Sequence, residues 1–139
     1  MRRLLLDLNV VLDVLLDRRP HAEAAAAVWA AMEAGRGQGL LPAHAFTTVH
    51  YLASRARGAR FARRTLEDLL RVFEVAPVDG AVIRSALDLA WPDFEDAVCA
   101  AAAAASGCEA IVGRDPAGFP GSPVPVVDPT TALAWLSAR

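Results

Sequence analysis

The sequence predicts an α/β domain with a parallel central sheet, and three observations support this. Short apolar segments with the composition of buried strands alternate with longer segments of helical periodicity. Apolar residues make up 55% of the 139 residues and charged residues 22%, which is enough to bury a sizeable core. No linker or internal repeat divides the chain, so we expect a single domain over residues 1–139.

The strands are predicted from apolar runs bounded by turn residues. They fall at residues 3–7, 40–43, 73–78, 109–113 and 124–127. The helices are predicted at residues 9–16, 21–35, 44–57, 60–72, 80–90, 91–107 and 129–138. Pro20 is suited to opening the second helix and Gly35 to closing it. The core side of the fourth helix is predicted to comprise Phe61, Leu66, Leu69, Leu70 and Phe73.

The net charge indicates no single class of partner, whereas the cysteines and the apolar segments argue against a CxxC site, a secreted protein and a membrane protein. The net charge is -2, and all 14 basic residues are Arg. Cys99 and Cys108 lack the CxxC spacing of metal or redox sites, so we expect reduced core thiols in a cytoplasmic protein. Leucines after Arg2 and Arg3 imitate a signal peptide, but Asp7 interrupts them. No apolar stretch reaches the roughly 18 residues of a membrane span, so we expect no membrane partner.

Four acids are predicted to meet at one edge of the sheet. Asp7 directly follows the first strand, and Asp115 follows the strand at 109–113. Asp93 and Asp96 lie where the sixth helix begins, and we expect that helix end at the same edge, where parallel sheets form their sites. Clustered carboxylates repel one another unless they are protonated or bind a cation. Oxygen ligands favour Mg²⁺, with Mn²⁺ possible, so we predict a metal bound by Asp7, Asp96 and Asp115, with Asp93 assisting.

Three of these acids also have structural explanations that the sequence leaves open. Asp93 suits an N-cap of the sixth helix. Asp96 in the first helical turn would complement the helix dipole. Asp115, which precedes a proline, suits a turn. Asp7 is the hardest to explain structurally, because a carboxylate after a buried strand is rarely left unpaired.

Two polar residues of the first helix are candidates for a supporting role. Asn9 is expected to begin the helix and hydrogen-bond Asp7 rather than bind the metal. Asp13 is either a solvated helix residue or a residue that supports the metal ligands from behind. The sequence does not decide between these two interpretations of Asp13.

Two segments, in order, resemble the PIN domain family. LLLDLNVVLDVLLDRRP, residues 4–20, resembles the opening of one PIN subgroup, in which the Asp of D-x-N-V-x-L-D is the first metal acid. The segment from DFEDAV to VVDP, residues 93–129, resembles that subgroup's ending: D-F-E-D-A, an alanine-rich helix, a strand, a T-R-N/D loop and a short I-P-V strand. The resemblance implies that Asp7 and Asp96 are metal ligands, Asp93 a nearby acid and Asp115 the acid of the last loop.

The same resemblance implies a fold and a function. The fold would be a three-layer α/β/α sandwich around a mostly parallel sheet. The activity would be a Mg²⁺- or Mn²⁺-dependent endoribonuclease of the VapC toxin type, with catalytic Asp7, Asp96 and Asp115. The implied partners are an RNA substrate, a second copy in a homodimer and a small antitoxin protein.

The sequence departs from the family pattern at three positions. Many PIN nucleases carry a Glu on the helix after the second strand, and Thr48 aligns there, within FTTVHYLASR. His50 is nearby, but an imidazole is a poor ligand for a hard cation. Gly113 replaces the usual Thr or Ser of the last loop, and Gly118 replaces a further common Asp. These departures predict weaker metal binding or no activity.

A basic segment is a candidate for RNA binding. SRARGARFARR, residues 54–64, carries five of the arginines. We predict that Arg55, Arg57 and Arg60, together with Arg114 of the last loop, bind RNA phosphates. A solvated helix face, or a surface for a dimer or antitoxin, is the alternative.

Two other functions remain open at this point. A degenerate PIN-like module would bind RNA or a protein without cleavage, and Thr48 motivates it. A haloacid-dehalogenase-like phosphatase also has an Asp after its first strand. That family needs a second acid where this chain has Asn9, and a lysine that this chain lacks, so we disfavour it.

Overall fold

A computed structural model describes residues 1–137, and in that range it confirms the alternation of strands and helices. The strands are β1 (Arg3–Leu6), β2 (Gln38–Pro42), β3 (Phe73–Ala76), β4 (Ala110–Val112) and β5 (Val126–Val127). The helices are α1 (Leu8–Leu15), α2 (Ala22–Glu33), α3 (Ala43–Arg57), α4 (Ala59–Val72), α5 (Gly80–Leu89), α6 (Phe94–Ala105) and α7 (Pro129–Ser137). A short 3-10 turn, Pro116–Gly118, follows β4.

The five strands form one sheet in the order β3-β2-β1-β4-β5, and all of its pairings are parallel. The chain builds outward from β1 through β2 to β3, and then crosses to the other side of β1 to add β4 and β5. The strand order therefore reverses between β1 and β4. Crevices at the carboxyl ends of strands at such a reversal are where open parallel sheets bind ligands.

Helices cover both faces of the sheet, which confirms the three-layer sandwich. Successive side chains of a strand point to opposite faces, so Leu4 and Leu6 pack with α1, α2, α3, α4 and α7, while Leu5 packs with α5 and α6. All three leucines are almost completely buried. Each such side chain contributes about 1.5–3 kcal/mol of burial free energy, so β1 is anchored firmly on both faces.

The second strand begins earlier than predicted because its pairing with β1 extends back to the first residue of β1. Gln38 and Gly39 lie in β2 rather than in a loop, and Arg3 and Leu4 are their partners. A Cβ atom on Gly39 would lie 2.7 Å from the ring of Phe73, so only glycine allows this close approach of β2 and β3. Gly39 therefore serves the packing of β2 against β3.

Of the five predicted core positions of α4 and its end, two are buried, Phe61 and Leu66 are partly buried, and one is exposed. Leu69 and Phe73 are buried, but Leu70 is 56% exposed, because no other element of residues 1–137 covers its flank of α4. Cys99 and Cys108 are buried free thiols, as predicted. The predicted last residue of the final helix, position 138, lies outside the described residues. No helix among the described residues has both the length and the apolar character required to cross a membrane.

Candidate functional site

A cavity of about 450 Å³ lies at the carboxyl ends of β1 and β4, where the strand order reverses. Its lining is strongly acidic, and all four of the predicted metal acids contribute to it. The lining residues are Asp7, Asn9, His21, Asp93, Asp96, Arg114, Asp115, Gly118 and Phe119. The cavity therefore joins residues from the start, the middle and the end of the chain.

Asp7 is held at the cavity by the strand that precedes it. Its backbone is extended, and its N–H donates to the carbonyl oxygen of Val112 at 2.9 Å, so pairing with β4 continues to this residue. The side chain is 6% exposed. Burial, and then the charge of Glu95, raises the pKa of Asp7 to about 6, although polar groups of Leu8 and Asn9 offset part of the shift.

The first turn of α6 brings three acids to the cavity. Asp93 is the N-cap, and its Oδ1 accepts a hydrogen bond from the backbone N–H of Asp96 at 3.1 Å. This is the capping role that the sequence left open for Asp93. Asp7, Glu95 and Asp96 each place one carboxylate oxygen within 4.8 Å of the other two. These three residues are called the carboxylate cluster below.

Sequence reasoning missed Glu95. Its signal was present, because Glu95 is the central acid of the D-F-E-D-A motif and directly precedes Asp96. The prediction selected Asp93 and Asp96 at the start of the helix and passed over the acid between them. The rotation of α6 about its own axis brings both first-turn acids toward Asp7.

The acids of the cavity shift one another's protonation. Burial is the largest cause that raises the pKa of Asp96 to about 7, followed by the charges of Asp93, Asp7, Glu95 and Asp115. The pKa of Glu95 is also raised, first by burial and then by Asp93. The helix N-terminus favours a negative charge on Asp96, but burial and the crowding of acids dominate.

Asp115 lies at the rim of the cavity rather than in the carboxylate cluster. It is exposed and begins the 3-10 turn, where its carbonyl oxygen accepts from the N–H of Gly118 at 3.0 Å. A Cβ atom on Gly118 would lie 3.6 Å from Oδ2 of Asp96 and 3.8 Å from Oδ2 of Asp115. Position 118 therefore lies between the two acids, and both separations are ordinary contacts.

Asp13 lies behind the cavity and does not line it. Its side chain is 0% exposed, so the interpretation as a solvated helix residue is wrong. Its Oδ2 is 3.2 Å from Nε of Arg114, and its Oδ1 is 3.5 Å from Nε of Arg18. Arg114 in turn lines the cavity, as does His21, a residue that sequence reasoning did not single out.

The remaining predicted site residues lie elsewhere. Thr48 is half-buried on α3 and does not line the cavity. Arg55, Arg57 and Arg60 lie around the junction of α3 and α4, and Arg57 instead lines an apolar groove of about 260 Å³ beside α1. Arg55 donates from Nη1 to the hydroxyl of Tyr51 at 2.8 Å. Only Arg114, of the four predicted RNA-binding arginines, reaches the cavity.

The donor set of the carboxylate cluster fits a hard divalent ion. The cluster offers carboxylate oxygens alone, which suit Mg²⁺ and Mn²⁺ better than zinc. The ion pairs found among residues 1–137 include none with Asp7, Glu95 or Asp96. A divalent cation would offset the burial and repulsion that raise the pKa values of these residues.

Comparisons with known proteins agree with this architecture. The family model described as PIN domain matches residues 3–117. No curated protein matches the sequence. Solved structures with the same fold include VapBC2 from Rickettsia felis bound to a promoter DNA fragment, with 12% identity, a TM-score of 0.69 and coverage of 91% of this chain and 98% of that chain.

Two further structures are similar. A toxin–antitoxin complex from Klebsiella pneumoniae shares 23% identity at a TM-score of 0.67, and covers 90% of this chain and 96% of that chain. Mycobacterium tuberculosis VapC20, described as a toxin that cleaves the sarcin–ricin loop, shares 17% identity at a TM-score of 0.64. That match covers 81% of this chain and 89% of VapC20. At these identities the likeness establishes the fold.

Proposed function

Because the chain belongs to the PIN domain family, we propose that it is a Mg²⁺- or Mn²⁺-dependent endoribonuclease. The observation that carries the proposal is the carboxylate cluster of Asp7, Glu95 and Asp96, whose oxygens lie within 4.8 Å of one another with no cationic partner among the described residues. Three such groups in a half-buried cavity favour a divalent cation over mutual repulsion.

Each residue has a proposed role in the cavity. Asp7, Glu95 and Asp96 would hold the ion, and a bound ion would lower the pKa of a water and neutralise charge on a phosphodiester. Asp115, at the rim, would be a further ligand. Asp93 orients Asp96 through the capping hydrogen bond to its N–H.

The proposed biological role is that of a toxin. Two of the similar structures reported above are described as a VapBC protein bound to DNA and as a toxin–antitoxin complex, and VapC20 is described as a toxin that cleaves the sarcin–ricin loop. We propose by analogy a cytoplasmic protein that forms a homodimer, cleaves a structured RNA and is inhibited by a small antitoxin. Reading the neighbouring open reading frame for a small DNA-binding protein tests the antitoxin.

The test of activity is a cleavage assay. Purified protein is incubated with total bacterial RNA and Mg²⁺ or Mn²⁺, and the fragment ends are mapped by primer extension. We expect discrete cuts from the wild type, none in EDTA and none from Asp7→Asn. A stem–loop that contains the mapped site then serves as a defined substrate.

The matched control is Glu33→Gln, which also removes one negative charge. Glu33 is exposed at the end of α2 remote from the cavity, about 18 Å along the helix from His21. We expect it to cut like the wild type. Equal cleavage by Asp7→Asn and the wild type would reject the assignment, since any residual cutting would then come from a contaminating nuclease.

A module that binds RNA or protein without cleavage is the second candidate, and Thr48 motivates it. The acid that the family resemblance places at position 48 is missing, and Thr48 does not line the cavity. Glu95 offers a substitute carboxylate from α6, which favours the nuclease. Calorimetric titration with Mn²⁺ separates the two, because a module without a metal centre has no saturable site.

A further inference from the structure

Asp13, Arg18 and Arg114 form a charged cluster directly behind the acidic cavity, called the Asp13 clamp below. Asp13 comes from α1, Arg18 follows that helix, and Arg114 follows β4. The Asp13 side chain is completely buried, whereas the side chains of Arg18 and Arg114 are 35% and 27% exposed. A buried carboxylate requires compensation of its charge, and the two guanidinium groups supply it.

The Asp13 clamp holds Arg114 by a charge contact and not by a hydrogen bond. Oδ2 of Asp13 lies 3.2 Å from Nε, and the geometry is that of a charge contact rather than an aligned hydrogen bond. A guanidinium has five N–H donors, and none of those of Arg114 makes a hydrogen bond with Asp13. Arg114 has no second ion-pair partner among residues 1–137, although it lines the same cavity as Asp7, Asp96 and Asp115.

The lack of an ion pair between Arg114 and the acids of the cavity matters for a bound cation. An arginine without restraint in an acidic cavity would pair with the nearest carboxylate and compete with a bound cation. Asp13 contacts Arg114 without lining the cavity, and no carboxylate of the cavity forms an ion pair with Arg114 within 4.0 Å. The terminal edge of the guanidinium is the fork that matches two oxygens of a phosphate.

We propose that Asp13 is a positioning residue that fixes Arg114 so that its terminal nitrogens bind an RNA phosphate beside the carboxylate cluster. This inference rests on the proposed ribonuclease function and deepens it. Arg114 touches the substrate, whereas Asp13 acts only through Arg114. Arg18 completes the neutralisation of Asp13 without reaching the cavity lining.

The clamp and a general charge effect predict opposite changes in RNA affinity for Asp13→Asn. Asp13→Asn removes a negative charge near the RNA site, and a general charge effect would therefore tighten RNA binding. The clamp predicts weaker binding, because Arg114 is released to pair with a carboxylate of the cavity. Asp13→Asn and Arg114→Ala should then have the same effect on binding.

The experiment measures binding of a fluorescein-labelled RNA stem–loop that the wild type cleaves. Fluorescence anisotropy is recorded with Ca²⁺ in place of Mg²⁺, over a series of KCl concentrations. Loss of one phosphate contact lowers the slope of log affinity against log salt by about 0.7–0.9. We expect that loss in Asp13→Asn and in Arg114→Ala, and no further loss in the double variant, because both disrupt one contact.

The matched control is Asp17→Asn, which removes one charge from the same segment. Asp17 is exposed and pairs with Arg19 rather than with the clamp. Its backbone φ of 48° is one that asparagine tolerates. We expect an unchanged salt slope. An ¹⁵N spectrum of the arginine Nε–H groups adds a direct readout, in which the Arg114 resonance shifts in Asp13→Asn because its charged neighbour is removed.

The outcomes separate this inference from the proposed function. If Asp13→Asn fails to fold, Arg114→Ala still tests the phosphate contact and should lose it, whereas Arg114→Lys keeps the charge and should retain most of the salt slope. A wild type that neither binds nor cuts RNA would overturn both proposals. A wild type that cuts RNA, with an unchanged salt slope in Arg114→Ala or in folded Asp13→Asn, would overturn this inference alone.

Discussion

Asp7, the N-cap of α1, and Asp13, in the second half of that helix, are both buried carboxylates, but their surroundings are opposite in charge. Asp13 has guanidinium nitrogens of Arg18 and Arg114 within 3.5 Å. Asp7 has carboxylate oxygens of Glu95 and Asp96 within 4.8 Å, and no ion pair of residues 1–137 includes it. Basic side chains therefore compensate the charge of Asp13, whereas none of residues 1–137 forms an ion pair with Asp7.

The difference shows which feature of a buried acid indicates a site. Burial alone does not, because Asp13 is buried more completely than Asp7. What distinguishes Asp7 is that no basic side chain of residues 1–137 pairs with it, so that protonation or a bound cation is the means to tolerate its burial. Asp13, with its charge already compensated, is suited to hold another side chain in place.

The largest expected effect is on metal binding. Asp7→Asn and Glu95→Gln each remove a ligand oxygen's charge and should lower Mn²⁺ affinity by more than about tenfold, since even groups outside the ligand set cost 10–100-fold. Isothermal titration calorimetry measures it, with Glu33→Gln as the control. Wild-type affinity in Glu95→Gln would remove that residue from the ligand set and leave Asp115 as the third acid.

The two buried acids should respond with opposite signs in stability. Asp13→Asn leaves two guanidinium groups without their buried partner and should lower the free energy of unfolding by about 3 kcal/mol. Asp7→Asn removes a buried, uncompensated charge and should raise that free energy in the metal-free protein. Urea unfolding in EDTA, followed by circular dichroism, measures both. Destabilisation by both variants would show that Asp7 has a cationic partner after all.

The raised pKa values predict a dependence on pH. In the metal-free protein the pKa of Asp7 is about 6 and that of Asp96 about 7, whereas the pKa of an Asp in the unfolded chain is 3.8. Between these values the folded protein retains protons that the unfolded chain has released. The contribution of Asp7 and Asp96 to the free energy of unfolding is therefore greatest below pH 4 and falls as the pH rises to about 7. Urea titrations in EDTA across this range measure the fall.

Metal binding should have the reverse dependence. A bound ion displaces the protons of Asp7 and Asp96, so Mn²⁺ affinity should rise with pH below about 7, by up to about tenfold per pH unit for each proton released. Calorimetry in buffers of different ionisation enthalpy counts the protons. Affinity that is constant between pH 5 and pH 7 would contradict the shared carboxylate cluster.

The smallest expected effect is a gain of function at Gly118. A side chain there would begin between Oδ2 of Asp96 and Oδ2 of Asp115, at separations of 3.6 Å and 3.8 Å that need no rearrangement. Gly118→Asp should therefore raise Mn²⁺ affinity several-fold by adding a carboxylate. Gly118→Asn has the same shape without the charge and is the control. Equal affinities in the two variants would place the ion away from this side of the cavity.

Much of the fold follows from local features of the sequence. Apolar runs identified all five strands, and helical periodicity identified all seven helices of the described residues, because these patterns arise within each segment. Gly35 has a φ of +77°, the conformation for which glycine is favoured at the end of α2. The errors are at Leu70 and at the start of β2, where another segment decides exposure or pairing.

Some residues of the candidate site could be located from local sequence, and others depend on how distant segments pack. A carboxylate directly after a buried strand is informative by itself, and with the rule for parallel sheets it indicated where Asp7, Asp96 and Asp115 would be. The inclusion of Glu95 in the carboxylate cluster depends on the rotation of α6 over the sheet. The separation of Arg114 from Arg55, Arg57 and Arg60 depends on where the last loop and the α3–α4 junction lie.

The sequence by itself determined the α/β order of elements and the presence of an acid at the end of β1, because hydrophobic periodicity and turn chemistry act over a few neighbouring residues. Only the tertiary structure decided which charges are paired. Asp13 meets Arg114, and Asp7 meets Glu95, across about 90 positions of chain or more. Charge compensation depends on distances of 3–5 Å between such segments, and no local pattern of residues encodes those distances.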